Sequence, residues 1–350
     1  MMVTRAAKVR FADARIELAH GAGGKASRRL IEGLLVPYLA NEALAELGDA
    51  AYVEIPGTQG LRLALTGDSF VVKPLRFPGG SIGALSVHGT VNDLAVAGAR
   101  PLALVATWIV EAGLPTDVLQ QEVEAMAEAA RNAGVDVVGG DTKVVEHGKA
   151  DGLYITTAGI GVVDPRITLS AASVQPGDQI LLSGPIGDHG ITVLLARGEL
   201  DLEADLVSDT RPVWPLVSAL IEAAGPGLRW MRDPTRGGVA TALNELARQA
   251  GVAVVLDDEA IPVRPAARGA GEILGLDPLH IANEGQFLAV VSPEYAEEAL
   301  AALRGAPGGE EAAFIGEIAA DPAGVVLARS PFGGTRVVDM LVGDPLPRIC

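Results

Sequence analysis

LRLALTGDSF (61–70) sets Leu61, Leu63 and Leu65 at alternate positions among smaller or polar neighbours and then runs without a break into Gly67-Asp68. A period of two is strand periodicity. The stretch therefore reads as a strand that delivers a carboxylate, Asp68, to the loop beyond it. VDVVGGDTK (135–143) repeats the design: a short apolar strand runs into Asp141, and the glycine pair ahead of it permits unusual backbone angles. Between the two lies PTDVLQQEVEAMAEAARNAG (115–134), in which Val118, Val123, Met126, Ala127 and Ala130 recur near helical spacing. Gly134 suits the left-handed position after a helix end. Strand, helix and strand, with an acid at each strand end, place the chain in the α/β (α+β) class.

Further along, PLALVATWIV (101–110) and GLYITTAGIGVV (152–163) are apolar runs, but both fall short of the roughly 18 to 20 residues a membrane span needs. They read as buried strands. DPRITLSAASVQPGDQ (164–179) is rich in Pro, Gly, Ser and Asp and reads as a crossover between two domains. Strand-like QILLS, VAVVL, FLAVV and VVLA then alternate with helical stretches such as GGVATALNELARQAG (237–251). The expected division is a first domain over 1–165, a second over 174–335, and an extended, mobile tail over 336–350. Fourteen residues follow Arg336, a reach of up to about 45 to 50 Å if fully extended. VHGTVNDLAVAG (87–98) and DPTRGGVATALNELA (233–247) are alike, each a glycine-bearing loop entering a small-residue helix, which hints at two related halves.

Among 350 residues, 49% are apolar, enough for a sizeable core in each of two domains. Asp and Glu number 44 against 27 Lys and Arg, a formal charge of −17, so nucleic-acid phosphates and anionic membrane surfaces are repelled. The N-terminal stretch has no hydrophobic segment of signal-peptide length. One cysteine allows no intrachain disulfide and fits a reducing compartment, so a cytoplasmic protein is expected.

Several stretches carry chemistry. HGAGGKAS (20–27) has glycines spaced either to let backbone N–H groups approach an anion or simply to form a flexible loop, and it lacks the Walker A pattern, since Lys25 is followed by Ala26. Asp68, Asp93 and Asp141, with Asn92 beside the second, are placed at strand ends or a helix start. Converging carboxylates suit a hard cation such as Mg²⁺, and single aspartates there also serve as ordinary caps. Asp233 and Arg236 in RDPTRGG (232–238) stand ahead of a helix, either to hold an anion or to form a cap with a surface ion pair. Glu284 in ANEGQF (282–287) is a turn residue or a buried general base. His88 and His189 lie in glycine-flanked loops with no second His or Cys spaced for a transition metal. Cys350 ends the chain in GDPLPRIC (343–350), where its own carboxylate disfavours the thiolate and Arg348 offsets that effect.

Taken in order, HGAGG, GDSF, VHGTVNDLAVAGARP, GGDTKV, GDQILLSGPIGDHG, DPTRGG, ANEG and the terminal PRIC resemble the HypE family of hydrogenase maturation factors, the carbamoyl dehydratases, over almost the whole chain. The core also resembles the wider superfamily of aminoimidazole ribonucleotide synthetase (PurM), selenophosphate synthetase and thiamine-monophosphate kinase, and the terminal cysteine selects HypE within it. The resemblance implies a two-domain PurM-like fold in which the N-terminal sheet forms a homodimer. It implies ATP and Mg²⁺ as cofactors, with Gly21, Gly23 and Gly24 closing over the phosphates and Asp68, Asn92, Asp93 and Asp141 binding Mg²⁺–ATP, Asp68, Asp93 and Asp141 as the metal ligands. Asp233 and Arg236 complete the phosphate site. Cys350 is the attachment point of a carbamoyl group supplied by a HypF-type carbamoyltransferase, and Lys143 and Glu284 serve as the positive group on the substrate oxygen and the base at its nitrogen. The product thiocyanate passes cyanide to iron on a HypC–HypD complex. Two other readings stand beside this one: a PurM-type synthetase acting on a free small molecule, and a thiol carrier whose ATP site is only a conformational switch.

Overall fold

The computed structural model describes residues 11–21, 23–39, 41, 44, 47–55, 60–198, 200, 202, 204–343 and 346–350. After two short helices, α1 (Lys25–Leu30) and α2 (Val36–Leu39), the first unit is built from β1 (Ala51–Glu54), β2 (Arg62–Phe70), the two-residue pair β3 (Arg76–Phe77) and β4 (Gly80–Ser81), α3 (Ile82–Val96), β5 (Ala99–Glu111), α4 (Thr116–Ala133), β6 (Asp136–Val145) and β7 (Leu153–Val163). Its main sheet has the order β1-β2-β7-β5-β6. Only β5 and β6 run parallel, because α4 returns the chain between them.

α3 is apolar around almost its whole circumference, and nearly every residue from Ile82 to Val96 is buried. A helix of that kind has no solvent face. One side packs on Phe70, Leu104 and Ile155 of the sheet, and the opposite side on the second unit through Ala95 and Val96. The joint is fastened by Asn92. Its Nδ2 donates to the carbonyls of Arg211 (2.9 Å) and Glu284 (3.0 Å), and its Oδ1 accepts from the Val213 amide (2.8 Å).

The second unit comprises β8 (Gln179–Leu182), α5 (Asp188–Ala196), α6 (Trp214–Ala224), β9 (Leu228–Arg232), α7 (Gly238–Ala250), β10 (Ala253–Asp257), α8 (Pro265–Leu274), β11 (Leu288–Val291), α9 (Ala296–Gly305), β12 (Ala313–Ala319), β13 (Val325–Arg329) and β14 (Thr335–Val337). The sheet order is β14-β13-β10-β12-β8-β11-β9. Its central strands read as continuous apolar runs because both faces are covered. Ile180 and Leu182 join Leu243 and Leu246 of α7 on one face, while Leu181 between them joins Leu220 of α6 and Leu300 of α9 on the other.

Three local expectations differ from what is found. Asp68 and Asp141 lie within β2 and β6, not in loops beyond them, since β2 runs on to Phe70 and β6 to Val145. In α4, which ends at Gly134 with φ of 68° as expected, the buried face is Glu122, Met126, Ala129 and Ala130, and Val123 is exposed. Glu122 is buried because it pairs with Arg76 (2.7 Å) and accepts from the Gly83 amide (3.0 Å). The C-terminal stretch is extended but docked. Residues 335–337 form an edge strand on β13, Val338 and Met340 are buried, and Leu346, Ile349 and Cys350 belong to the same apolar cluster as Phe70. Glycines and prolines had masked this small set of apolar anchors.

Replacing Asn92 by Ala leaves two carbonyls and one amide of the joint without their partner. Since each stranded buried group costs roughly 1–3 kcal/mol, Asn92→Ala should lower the stability measured by urea unfolding by about 2–4 kcal/mol. A loss below about 0.5 kcal/mol, the range of inert surface changes, would show that the joint is held elsewhere.

Candidate active site

The two units enclose a cleft of about 460 Å³, a size typical of small-molecule sites. Asp68 reaches it from β2, Asp93 from the last turn of α3, Asp49 from the residues ahead of β1, and Asp233 and Arg236 from the loop that starts α7. Gly21, Gly23 and Gly24 close one side. Gly23 has φ of 80°, and a Cβ there would lie 2.7 Å from that of Arg236; a Cβ on Gly24 would lie 2.3 Å from the Leu341 carbonyl oxygen. Both glycines are thus required by close approach, which the Arg236 guanidinium reinforces with a bond to the Gly21 carbonyl (2.8 Å).

Carboxylates dominate the electrostatics. Asp49, Asp93 and Asp233 each present an oxygen within 4.8 Å of the others. Burial, followed by the charge of its acidic neighbours, holds Asp93 well above the usual carboxylate range, and the same causes act on Asp233. Asp49 is pushed up to about 6 by burial, against the pull of Arg232. Arg232 is the built-in counter-charge: it donates to Asp49 (2.7 Å) and pairs with Glu245 (3.0 Å). One guanidinium shared between Asp49 and Glu245 leaves the group acidic overall. An all-oxygen, anionic donor set of this kind fits a hard divalent cation such as Mg²⁺, and bringing one in would return the carboxylates to their charged form.

Of the residues singled out in the sequence, Gly21, Gly23, Gly24, Asp68, Asp93, Asp233 and Arg236 all line this cleft. Asn92 does not, since its amide is occupied in the joint between the units. Asp141 and Lys143 sit on β6 in register with Thr107 and Ile109 of β5, exposed on the sheet face away from α3, where they pair with each other at 2.5 Å. Neither reaches the cleft of its own chain. Glu284 is buried behind the cleft with an Oε1 that has no hydrogen-bond partner, and burial, then the charges of Asp233 and Asp68, keep its carboxyl well above the usual range. Cys350 is seated just past the end of β2, its carbonyl accepting from the Val71 amide at 3.0 Å. The sequence reading missed Asp49, Thr66, which donates to Asp93 (2.7 Å), and Arg232. Asp49 carried a usable signal, because Gly48-Asp49 stands beside an apolar strand just as Gly67-Asp68 does. Arg232 carried none.

The chain matches the N-terminal domain model of AIR synthase related proteins over residues 47–163 and the C-terminal domain model over 175–329. It is 53% identical over 335 residues to the carbamoyl dehydratase HypE of Azotobacter vinelandii, spanning 96% of this chain and 97% of that one. It is 45% identical over 337 residues to the carbamoyl dehydratase HypE of Escherichia coli, with 96% and 99% covered. Among solved structures it superimposes on a HypE–HypF complex with a TM-score of 0.84 at 43% identity, covering 89% of this chain and 99% of that one. Hydrogenase maturation protein HypE in complex with ATP gives a TM-score of 0.79 at 44% identity, covering 95% and 99%. With both halves of the fold, the acidic cleft and near-complete coverage in agreement, the chain belongs to the HypE family of carbamoyl dehydratases within the AIR synthase related fold.

Proposed function

We propose that the chain is an ATP-dependent carbamoyl dehydratase acting on its own C-terminal cysteine in hydrogenase maturation. The observation that carries this reading is the seat of Cys350, whose main chain bonds to Val71, just past the end of β2 and three residues on from the cleft residue Asp68. In the reaction, Cys350–S–C(=O)–NH₂ and ATP give Cys350–S–C≡N, ADP and phosphate. Hydroxide leaves an amide carbon poorly, so the amide oxygen is phosphorylated, two protons leave the nitrogen, and the oxygen departs with the phosphate. Glu284, buried and with an unpartnered oxygen, takes a nitrogen proton. A raised carboxyl is suited to that work. Arg236 and the glycines Gly21, Gly23 and Gly24 hold the phosphates.

Mg²⁺, held by Asp49, Asp93 and Asp233 with Asp68 at hand, would neutralise phosphate charge. This set differs from the one expected in the sequence, where Asp141 stood in place of Asp49 and Asp233. For Asp141 and Lys143 we propose a role in trans. The outer face of the first sheet leaves Leu65, Val105 and Ile109 exposed beside them, and a second copy covering that apolar face makes the homodimer. Each copy then offers its Lys143 to the other's substrate oxygen. A HypF-type carbamoyltransferase loads Cys350, and a HypC–HypD complex takes the cyanide for iron. Among the described residues no helix is long and apolar enough to cross a membrane, and we place the protein in the cytoplasm.

Asp49→Asn removes one charge and almost no volume. It should weaken Mg²⁺–ATP binding by tenfold or more in calorimetry, an effect much reduced when magnesium is withheld; unchanged affinity would return Asp49 to a partner of Arg232 only. Incubated with carbamoyl phosphate, ATP and a HypF-type partner, Glu284→Gln should load Cys350 and then stall, keeping the water by intact mass, whereas Cys350→Ala should not load at all. Dehydration by Glu284→Gln at the wild-type rate would place the base elsewhere. A wild type that never loses water would leave the carrier reading, and turnover by Cys350→Ala on a free substrate would favour the synthetase.

A further inference from the structure

Every main-chain carbonyl of the last four residues has a donor. The Pro347 carbonyl accepts from the Arg197 guanidinium, and that of Arg348 from the same group (3.1 Å) and from the Lys73 amide (3.2 Å). The Ile349 carbonyl accepts from His189 Nε2 (3.0 Å), and that of Cys350 from the Val71 amide (3.0 Å). Arg348 is further tied to the Val71 carbonyl (3.1 Å) and to Asp151. The tail thus lies along residues 71–73, bent at Arg348 where φ is 58°, with Leu346 and Ile349 as its buried anchors. Gly190, next to His189, makes the room: a Cβ there would come within 3.1 Å of the Leu346 side chain.

His189 is the one imidazole in this seat, fully buried and edge-on to Phe77 with ring centroids 5.5 Å apart. Its protonation is fixed by its neighbours. A carbonyl can only accept, so the hydrogen is on Nε2, and Nδ1 must accept. Ser208 Oγ lies 2.8 Å from Nδ1 and already accepts from the Thr210 amide (3.1 Å), which leaves its hydroxyl hydrogen for the ring. Burial pushes the imidazole down to about 4, in keeping with a neutral ring.

We infer that His189, its tautomer locked by Ser208, is the positioning residue that seats the C-terminal tail by binding the Ile349 carbonyl, one residue short of the thiol. The seat holds the tail through its main chain and through buried apolar anchors, and Cys350 itself lies in the same cluster as Leu346 and Ile349. With Cys350 buried in the seat, an outside partner gains it only when the tail lifts off. The consequence for dehydration rests on the proposed function; the seat itself does not.

Cys350 is the only thiol, so its alkylation by iodoacetamide, followed by intact mass, reports undocking directly. His189→Leu, which keeps bulk and removes both ring nitrogens, should be labelled at least tenfold faster than wild type. Ser208→Ala should be labelled severalfold faster, and Arg197→Ala, a change at a half-buried position, faster as well. Wild-type labelling in a folded His189→Leu overturns the assignment. Should that variant not fold, wild-type labelling in Ser208→Ala overturns it instead. With Cys350 carbamoylated beforehand, His189→Leu should lose tenfold or more in kcat with KM for ATP unchanged, and an unchanged kcat alongside fast labelling overturns the catalytic part. A wild type that never dehydrates would sink the proposed function while leaving the labelling result intact.

Discussion

The unusual constraint in this molecule is mutual repulsion among carboxylates gathered at a junction. Asp49, Asp93 and Asp233 come from three separate parts of the chain, and burial holds all three above their ordinary range, with acidic neighbours adding to it: Asp233 and Asp49 for Asp93, Asp49 for Asp233, and Glu245 for Asp49. Left alone, such a group would push the two units apart. What keeps them together is apolar burial around α3, the neutral clamp of Asn92, and Arg232 spread between Asp49 and Glu245. The fold thus concentrates at its joint a set of carboxyl oxygens that a hard divalent cation would return to their charged form.

Much of this was legible in the sequence, because its signals were local. Period-two leucines marked β2, helical spacing with Gly134 marked α4, and glycine-flanked aspartates marked several cleft residues. Non-local facts were not legible. That Asn92 faces a second domain instead of a ligand depends on where residues 211, 213 and 284 return in space. That Asp141 and Lys143 face away from their own cleft depends on the register of β6 against β5. The tail was read as mobile from its glycines and prolines, yet Val338, Met340, Leu346 and Ile349 are buried; four anchors scattered over twelve residues show no period for a helix or a strand.

The segment 208–211 links the parts more than its modest sequence indicates. Ser208 bonds His189, Thr210 bonds His88 (3.2 Å), Asp209 accepts from the amides of Glu284 and Gly285, and the Arg211 carbonyl accepts from Asn92. Tail seat, helix α3 and the buried glutamate are thereby tied to a single stretch of backbone. A shift of one is felt by the others through hydrogen bonds of ordinary length.

The isolation of Cys350 bears on survival under oxidants. A thiol oxidised to sulfenic acid is normally rescued by condensing with a second thiol before further oxidation becomes irreversible, and this chain has no second cysteine to offer. Burial in the seat is then the intramolecular safeguard of the sulfur, and every interval spent undocked is a race between capture by a partner and permanent chemical loss. The dwell time of the tail sets not only how readily the protein is loaded but how many cycles one molecule completes before it is retired.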